Sequence, residues 1–572
     1  MDRTRLGPQP RWSRQDAWLV LGLLLVAVVL PLVVGLISGS QDIPRNDDWS
    51  YRRMAVGLAQ TGAFALDGIS ETMIVGQILF AQPLLWIVGQ QAAFTVGGVL
   101  FATGGILSAF WLARHILHSR DAAIAAGMLA LVPGYLVYAT SFMSDVPALA
   151  AQFVCLGLGA TAIARRPVGT RWLIASAIVG VLAFSIREFA IAAPACVLLA
   201  AVDAEPRRLR TWAIGFGVAG ACVALHLWHS RLPGQLPPIG AGYGSFSAAT
   251  QAFTSVAFVI VPAALLGSIR WRRHFHRFDL FAGSLVGGIL VLSRLLQWAR
   301  DGSIPPMILD NLASQWGAPA SSYLVGGRPL LFTDPVWAAV GVLALASSVI
   351  VLVVGAGIAG AHLRRCRRSA RVLVGRVATP QGIVAVFVVA VLFGLIAFGL
   401  SRPIFDRYFW PVVPPLAALF LFLPADLREG ASTGSAGRFS LAVRGAASLC
   451  ALVLAVVSMS FLLNSASFDA ARWTAGQRLM ETGLRADQID AGYEWVGYHA
   501  TTQGDPTLRT STETFYGSWW PAFQRCGLVT SDPTPPADGR LIGTLPYQLN
   551  LVTGPTEVLY LFRVSGPGCP PG

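Results

Sequence analysis

The chain has 572 residues, of which 54% are hydrophobic and only 12% are charged, and its mean hydropathy is +0.60. Soluble domains carry about 25% charged residues, so this composition excludes an ordinary soluble protein. The net charge of +13 comes from arginines spread along the chain, which argues against a nucleic-acid-binding patch.

Runs of roughly 17–25 apolar residues recur along the sequence, the length that a helix needs to cross ~30 Å of hydrocarbon. An outer-membrane barrel would instead show ~10-residue alternating segments. We therefore predict a polytopic α-helical membrane protein with about thirteen transmembrane helices and a small extracytoplasmic C-terminal domain. The predicted spans are 17–38, 92–113, 121–140, 146–164, 172–186, 189–204, 211–229, 251–268, 279–298, 335–357, 381–400, 408–425 and 445–463.

The segment 73–90 is apolar but is interrupted by Gln77, Gln82 and Pro83, so we predict an interfacial or re-entrant segment there. The first span follows four arginines and has no small-residue cleavage site after it, which is typical of a retained anchor.

The distribution of arginine predicts the orientation. With a cytoplasmic N-terminus, 25 of the 42 arginines fall in cytoplasmic segments, 10 fall on the opposite side and 7 lie in the C-terminal tail. The positive-inside rule then places the protein in the cell (inner) membrane with its C-terminal domain outside the cytoplasm. We predict a transmembrane catalytic module over 1–463 and a C-terminal domain over 464–572. The predicted outer loops of the module are 39–91, 140–146, 299–334 and 401–408.

The C-terminal tail contains Cys526 and Cys569. An oxidising compartment would allow these cysteines to form a disulfide, but the sequence alone leaves their pairing open.

Two adjacent carboxylates, Asp47 and Asp48, follow the first predicted span. They have an ordinary structural explanation as solvated loop residues or as a helix N-cap. At the mouth of a membrane bundle, a carboxylate can also accept a proton from a sugar or phosphate hydroxyl, or bind a divalent cation such as Mg or Mn. We favour Asp48 over Asp47 because the following helix would hold its carboxylate at a positive N-terminus.

Asp145 and Arg187 fall at the predicted outer ends of spans. Asp145 precedes Pro147 and could cap the helix that the proline begins, while its carboxylate faces the same cavity as the first acidic pair. Arg187 is followed by Glu188, and the two are explained either as paired structural charges or by an arginine that binds the phosphate of a donor.

Arg402, Asp406 and Arg407 lie among aromatic residues before a proline-rich predicted span. An aromatic belt with snorkelling arginines is the ordinary explanation. Arginine also engages phosphate oxygens in pairs, and arginines on the outer side run against the topogenic bias. We therefore favour phosphate binding for this cluster.

In their order and spacing, these motifs resemble the GT-C glycosyltransferases, particularly the family 39, aminoarabinose-transferase-like and protein-mannosyltransferase-like enzymes. The resemblance covers roughly 17–425 and rests on three segments, which are Asp47-Asp48-Trp49-Ser50-Tyr51, Phe142-Met143-Ser144-Asp145-Val146-Pro147 and Arg407-Tyr408 with the prolines that follow. The chain has Asp-Asp where many members have Asp-Glu, and its tail matches none that we can assign.

The resemblance implies that a hexose or pentose is transferred from a polyprenyl-phosphate donor to a glycan, lipid or protein acceptor on the outer face. It also implies that Asp47 or Asp48 is the base or a metal-linked acid, that Asp145 supports the site as a further acid or metal ligand, and that Arg407, with Arg402 or Arg187, holds the lipid phosphate.

Two other classes stay open. One is a transporter or flippase of lipid-linked saccharides, for which charges at mid-membrane and broken helices would be expected, whereas the charges here lie at span ends. The other is a non-catalytic assembly or sensor protein built around the C-terminal tail.

Overall fold

The computed structural model describes residues 12–69, 72–165, 167–234, 246–302, 313–318, 324–367, 377–400, 404–424, 427, 437–502, 519–520, 522–552 and 554–570. Helices dominate this part of the chain. They are α1 (Arg14–Ser38), α2 (Asp48–Thr61), α3 (Val75–Arg114), α4 (Ser119–Gly127), α5 (Tyr135–Tyr138), α6 (Asp145–Ile163), α7 (Thr170–Ile186), α8 (Ala192–Ala204), α9 (Leu209–His229), α10 (Phe246–Trp271), α11 (Arg277–Asp301), α12 (Asp334–Arg367), α13 (Pro380–Gly399), α14 (Val413–Leu421), α15 (Gly437–Glu481) and α16 (Tyr493–His499).

Nine helices in the described ranges are long and apolar enough to cross a membrane, which confirms a multi-pass α-helical membrane protein. The remaining four predicted spans fall on shorter helices, since α7 has 17 residues, α8 has 13 and α14 has 9. Between residues 119 and 138 the chain forms only α4, a 3₁₀ turn and α5. Hydropathy detects an apolar stretch but does not reveal that a turn interrupts its helix.

Helix α3 combines the predicted segment 73–90 with the span after it. Gly89 interrupts the helix with φ 79° and ψ 167°, a backbone conformation that glycine adopts without steric penalty. Further along, Gly98 lies against the turn before α6, where an added Cβ would approach the carbonyl oxygen of Ser141 to 2.7 Å. The glycine thus allows α3 to lie directly against the turn that precedes Asp145.

The C-terminal region is built on α15, a single helix of 45 residues that runs from the membrane bundle into this region. The helix packs against a four-stranded sheet of order β1-β2-β4-β3, with β1 (Ile489–Asp490), β2 (Gly527–Thr530), β3 (Gly539–Gln548) and β4 (Thr556–Val564). A second hydrophobic cluster, separate from that of the bundle, lies between them. Cys526 and Cys569 are joined by a disulfide, which answers the question that the sequence left open.

Ion pairs tie the helices together at ends that are predicted to be cytoplasmic. Arg114 pairs with Asp16 at 3.1 Å and Arg270 pairs with Asp121 at 2.5 Å. Each pair joins residues that the arginine distribution assigns to one and the same side. The described site candidates Asp47, Asp48, Asp145, Arg187 and Arg407 are absent from these pairs and lie in loops or at helix ends.

Candidate active site

Asp48 forms a buried ion pair with a residue of its own helix. Asp48 is the first residue of α2. Its carboxylate accepts hydrogen bonds from Nε and Nη2 of Arg52 at 2.6 and 2.9 Å, and from the backbone N–H of Phe142 at 3.2 Å. The side chain of Asp48 is fully buried. The spacing of four residues places the partners one helical turn apart. Both oxygens of Asp48 therefore bind Arg52, and Oδ2 also joins α2 to the turn before α6.

Asp47 is the more accessible of the two aspartates, with 27% of its side chain exposed. One of its oxygens accepts a hydrogen bond from the hydroxyl of Tyr493 at 3.1 Å, and the other lies 3.6 Å from Nη2 of Arg407. Its side chain does not cap α2, although its backbone carbonyl accepts the N–H of Ser50. The capping explanation considered for the acidic pair is thus not seen at Asp47, whose carboxylate contacts Tyr493 and Arg407 instead.

Asp145 connects two buried arginines. Its Oδ2 accepts a hydrogen bond from Nη2 of Arg187 at 3.0 Å, and its Oδ1 lies 3.6 Å from Nε of Arg407. Nε of Arg187 donates to Ser144 at 2.9 Å. Arg187 therefore pairs with Asp145. The explanation by paired structural charges had instead assumed a pair between Arg187 and its sequence neighbour Glu188. Asp145 begins α6 without capping it.

Arg407 is buried, and its Nε lacks a hydrogen-bond partner in the described part of the chain. Both of its ion pairs are 3.6 Å long, beyond the range of an N–H···O hydrogen bond. Its Nε and Oδ1 of Asp145 are buried without a hydrogen-bond partner. Burial disfavours the charged form of Arg407, but Asp145 and Asp47 outweigh this effect and raise its pKa well above the usual value. Arg407 is therefore a buried positive charge whose Nε–H has no hydrogen-bond acceptor among the described residues.

A cavity of about 520 Å³ adjoins these charges. Its polar end is formed by Thr72, Arg187, Glu188 and Tyr408, and the ring of Tyr408 lies 5.8 Å from the guanidinium of Arg187. Phe189, Ala192 of α8 and residues of α13 form the remainder, with residues 390, 391, 394, 395 and 398 on one face of α13. Burial raises the pKa of Glu188 above its usual value.

The C-terminal region takes part in the site. Glu494 is fully buried and accepts a hydrogen bond from the backbone N–H of Asn46 at 3.0 Å. Its other oxygen accepts one from Arg472 of α15 at 2.6 Å. Asn46 has φ 54°, a conformation that non-glycine residues rarely adopt. Together with the bond from Tyr493 to Asp47, this contact fixes the backbone immediately before the acidic pair.

Comparison with known proteins does not assign a family. No protein-family model matches the chain, and no curated protein matches it. Among solved structures, it is similar to ArnT from Cupriavidus metallidurans bound to undecaprenyl phosphate, at 13% identity and a TM-score of 0.43 over 97% of this chain and 100% of that one. It is also similar to the archaeal oligosaccharyltransferase AglB from Archaeoglobus fulgidus in complex with an inhibitory peptide and a dolichol-phosphate, at 14% identity and a TM-score of 0.42 over 91% and 70% of the two chains.

A further similar structure is the Archaeoglobus fulgidus oligosaccharyltransferase in complex with Zn and sulfate, at 12% identity and a TM-score of 0.39 over 90% and 68% of the two chains. At these values, similarity assigns neither a family nor an activity to this chain.

The predicted metal ligands Asp48 and Asp145 do not fit a cation in this structure. Both oxygens of Asp48 are bonded to Arg52, and Asp145 is held between Arg187 and Arg407. Within the described ranges, no group of three or more His, Cys, Asp or Glu side chains is arranged to bind a metal. We therefore derive no step through a metal ion.

Of the predicted site residues, Arg402 lies outside the described residues. The structure brings Asp47, Asp145, Arg187 and Arg407 together and leaves Asp48 in a separate ion pair. Sequence reasoning missed the partner of Asp48, although a spacing of four residues on a predicted helix is a readable signal.

Tyr493 and Glu494 of the C-terminal region also contact the loop that carries the acidic pair. They lie 446 and 448 residues from their partners in the first loop, and a single sequence carries no signal for such a pairing.

Proposed function

We propose that this protein is a membrane glycosyltransferase that transfers a sugar from a polyprenyl-phosphate donor to an acceptor on the extracytoplasmic face. The observation that carries the proposal is the meeting of two buried arginines with two carboxylates, in which one of the arginines, Arg187, also lines an apolar cavity. A polyprenyl phosphate has matching parts, because its chain is apolar and its phosphate is anionic.

Arg187 and Arg407 are suited to bind the phosphate of the donor. Guanidinium groups engage phosphate oxygens with paired, charge-assisted hydrogen bonds. The unsatisfied Nε of Arg407 and the wall position of Arg187 leave both arginines able to contact a ligand. The opposite face of α13 carries exposed apolar residues such as Phe393, so the prenyl chain can run beside this helix within the lipid.

Asp47 is the residue best placed to act as the base. In the proposed reaction, its carboxylate takes the proton of the acceptor hydroxyl as the hydroxyl oxygen attacks the anomeric carbon of the donor sugar. The bond between that carbon and the phosphate oxygen breaks, and the phosphate leaves with the electron pair. Arg407 and Arg187 stabilise the charge on the leaving phosphate. Asp48 is unsuited to this role because its oxygens are bonded to Arg52.

The sidedness follows from the arginine distribution. The first loop, the turn before α6, Arg187, Arg407 and the C-terminal region meet at one end of the bundle, which we place outside the cytoplasm in the cell membrane. The domain division at 463/464 falls within α15, so we treat 464–572 as a domain anchored by a continuous helix.

The test uses the full-length protein in lipid nanodiscs with radiolabelled polyprenyl-phosphate hexoses and pentoses and a membrane extract as acceptor. The assay measures two quantities together: the label that is transferred to the extract and the polyprenyl phosphate that is released. We expect transfer with the wild type and a loss of about 10²–10⁴-fold for Asp47→Asn, the range for removing a general base. Arg407→Gln should raise the KM for the donor.

The matched control is Asp538→Asn, which removes an exposed carboxylate in the same C-terminal region. It should leave transfer unchanged. Full transfer by Asp47→Asn would refute the assignment of the base. Movement of the labelled glycan across vesicle membranes without transfer would instead identify a flippase.

A further inference from the structure

A second cavity, of about 400 Å³, has a lining of a different character. It lies at the break in α3, where Gln90 and Gln91 follow Gly89 directly. Both amides are exposed, and Gln91 donates to the carboxylate of Asp42 at 3.3 Å. The size is within the range of ~300–1,000 Å³ that is typical of small-molecule sites.

The charge of this lining is negative where a ligand can reach it. Arg52 belongs to the wall, but its Nε and Nη2 bind Asp48 and its Nη1 donates to the backbone carbonyl of Asp42 at 2.9 Å. The carboxylate of Asp42 is exposed and is held by long hydrogen bonds of 3.3 Å. A phosphate would therefore be repelled here, whereas hydroxyl and ammonium groups would find acceptors.

Aromatic rings from the C-terminal region complete the cavity. Trp473 of α15 and Tyr498 of α16 lie in its wall, with ring centroids 6.0 Å apart, and Phe94 of α3 lies there as well. A pyranose or furanose ring presents C–H groups that pack on an aromatic face and hydroxyls that bind amides and carboxylates. Trp and Tyr supply such faces, and a glutamine amide both donates and accepts hydrogen bonds.

We propose that this cavity binds a saccharide that is neutral or carries an amine, and that it is the acceptor subsite of the transferase. The role of this cavity as an acceptor subsite rests on the proposed function, whereas saccharide binding does not. Helix α2 connects both cavities, because Tyr51 is hydrogen-bonded to Thr72 in the wall of the first and Arg52 lies in the wall of the second. Asp47 precedes that helix, so one element carries the proposed base and contacts both proposed subsites.

The experiment titrates the full-length protein in nanodiscs with methyl glycosides of glucose, galactose, arabinose and glucosamine, and follows binding by saturation-transfer NMR. We expect at least one glycoside to bind, and Asp42→Asn and Gln91→Ala to weaken its binding by about tenfold. Both side chains are exposed, so both variants should fold. Trp473→Phe keeps an aromatic face and should bind more tightly than Trp473→Ala. Trp86→Ala is the control, because Trp86 is 89% exposed and is absent from the lining.

Three results would overturn the inference: no glycoside binds, the two cavity variants bind as the wild type does, or glycerol phosphate displaces the bound glycoside. Tighter binding of a farnesyl glycoside than of its methyl counterpart supports a lipid-linked acceptor, and equal binding supports a free saccharide.

Failure of the proposed function gives a different pattern. Wild-type protein that binds glycosides but transfers no label contradicts the proposed function and leaves the saccharide site intact. Transfer that is unaffected by Asp42→Asn and Gln91→Ala contradicts the acceptor subsite alone.

Discussion

Replacing Asp48 by asparagine should destabilise the protein far more than the same change at Asp47. Asp48 and Arg52 have side-chain exposures of 0% and 6%, and three hydrogen bonds converge on the Asp48 carboxylate. The Asp48→Asn variant leaves the guanidinium of Arg52 buried without its counter-charge. Removing one member of a buried pair typically costs about 3–5 kcal/mol of unfolding free energy.

Asp47→Asn should cost no more than about 1 kcal/mol, because its side chain is 27% exposed and its ion pair is long. The assay is unfolding in mixed detergent micelles, followed by tryptophan fluorescence, for both single variants. A third variant, Asp48→Asn/Arg52→Gln, replaces the charged pair by two neutral amides. It should recover about 2 kcal/mol relative to the sum of its single variants.

Equal destabilisation by Asp47→Asn and Asp48→Asn would refute this division of roles. An Asp48→Asn variant within about 1 kcal/mol of the wild type would refute the claim that this ion pair stabilises the fold.

Three further outcomes are expected. Tyr493→Phe should lower transfer about tenfold with little effect on unfolding, because only the hydroxyl that orients Asp47 is lost; rates equal to the wild type would contradict this. Burial raises the pKa of Glu188. As pH rises through that pKa, the carboxylate gains negative charge, so binding of farnesyl phosphate should weaken. Glu188→Gln should remove this pH dependence. Cys526→Ser opens a disulfide spanning 43 residues and should lower the unfolding free energy by about 4 kcal/mol. Equal stability of the oxidised and the reduced wild type would contradict this.

The membrane-spanning character of the fold could be predicted because it depends on the composition of contiguous segments. Hydropathy identified the apolar stretch 121–140, but the structure divides that stretch into two short helices with a 3₁₀ turn between them. Apolar composition reports that a segment prefers lipid or the protein core. It contains little information on where a backbone turn interrupts the helix.

The candidate site was partly predictable for the same reason. Asp145, Arg187 and Arg407 were identified because charges at span ends are rare and conspicuous. Their mutual pairing depends on how α6, α7 and the segment before α14 pack, which no local pattern specifies. The preference for Asp48 over Asp47 relied on the helix N-terminus alone and stays a prediction. The position of Arg52, one turn later, decides which carboxylate is occupied.

The bond between Glu494 and Asn46 also has a consequence for the order in which the protein is made. The first loop leaves the ribosome more than four hundred residues before the glutamate that fixes its backbone. Until residues 493 and 494 have been synthesised and lie beside the first loop, Asp47 lacks its contact with Tyr493 and the N–H of Asn46 lacks its contact with Glu494. A nascent or C-terminally truncated chain that has inserted its helices therefore still lacks both contacts between its acidic loop and the C-terminal region.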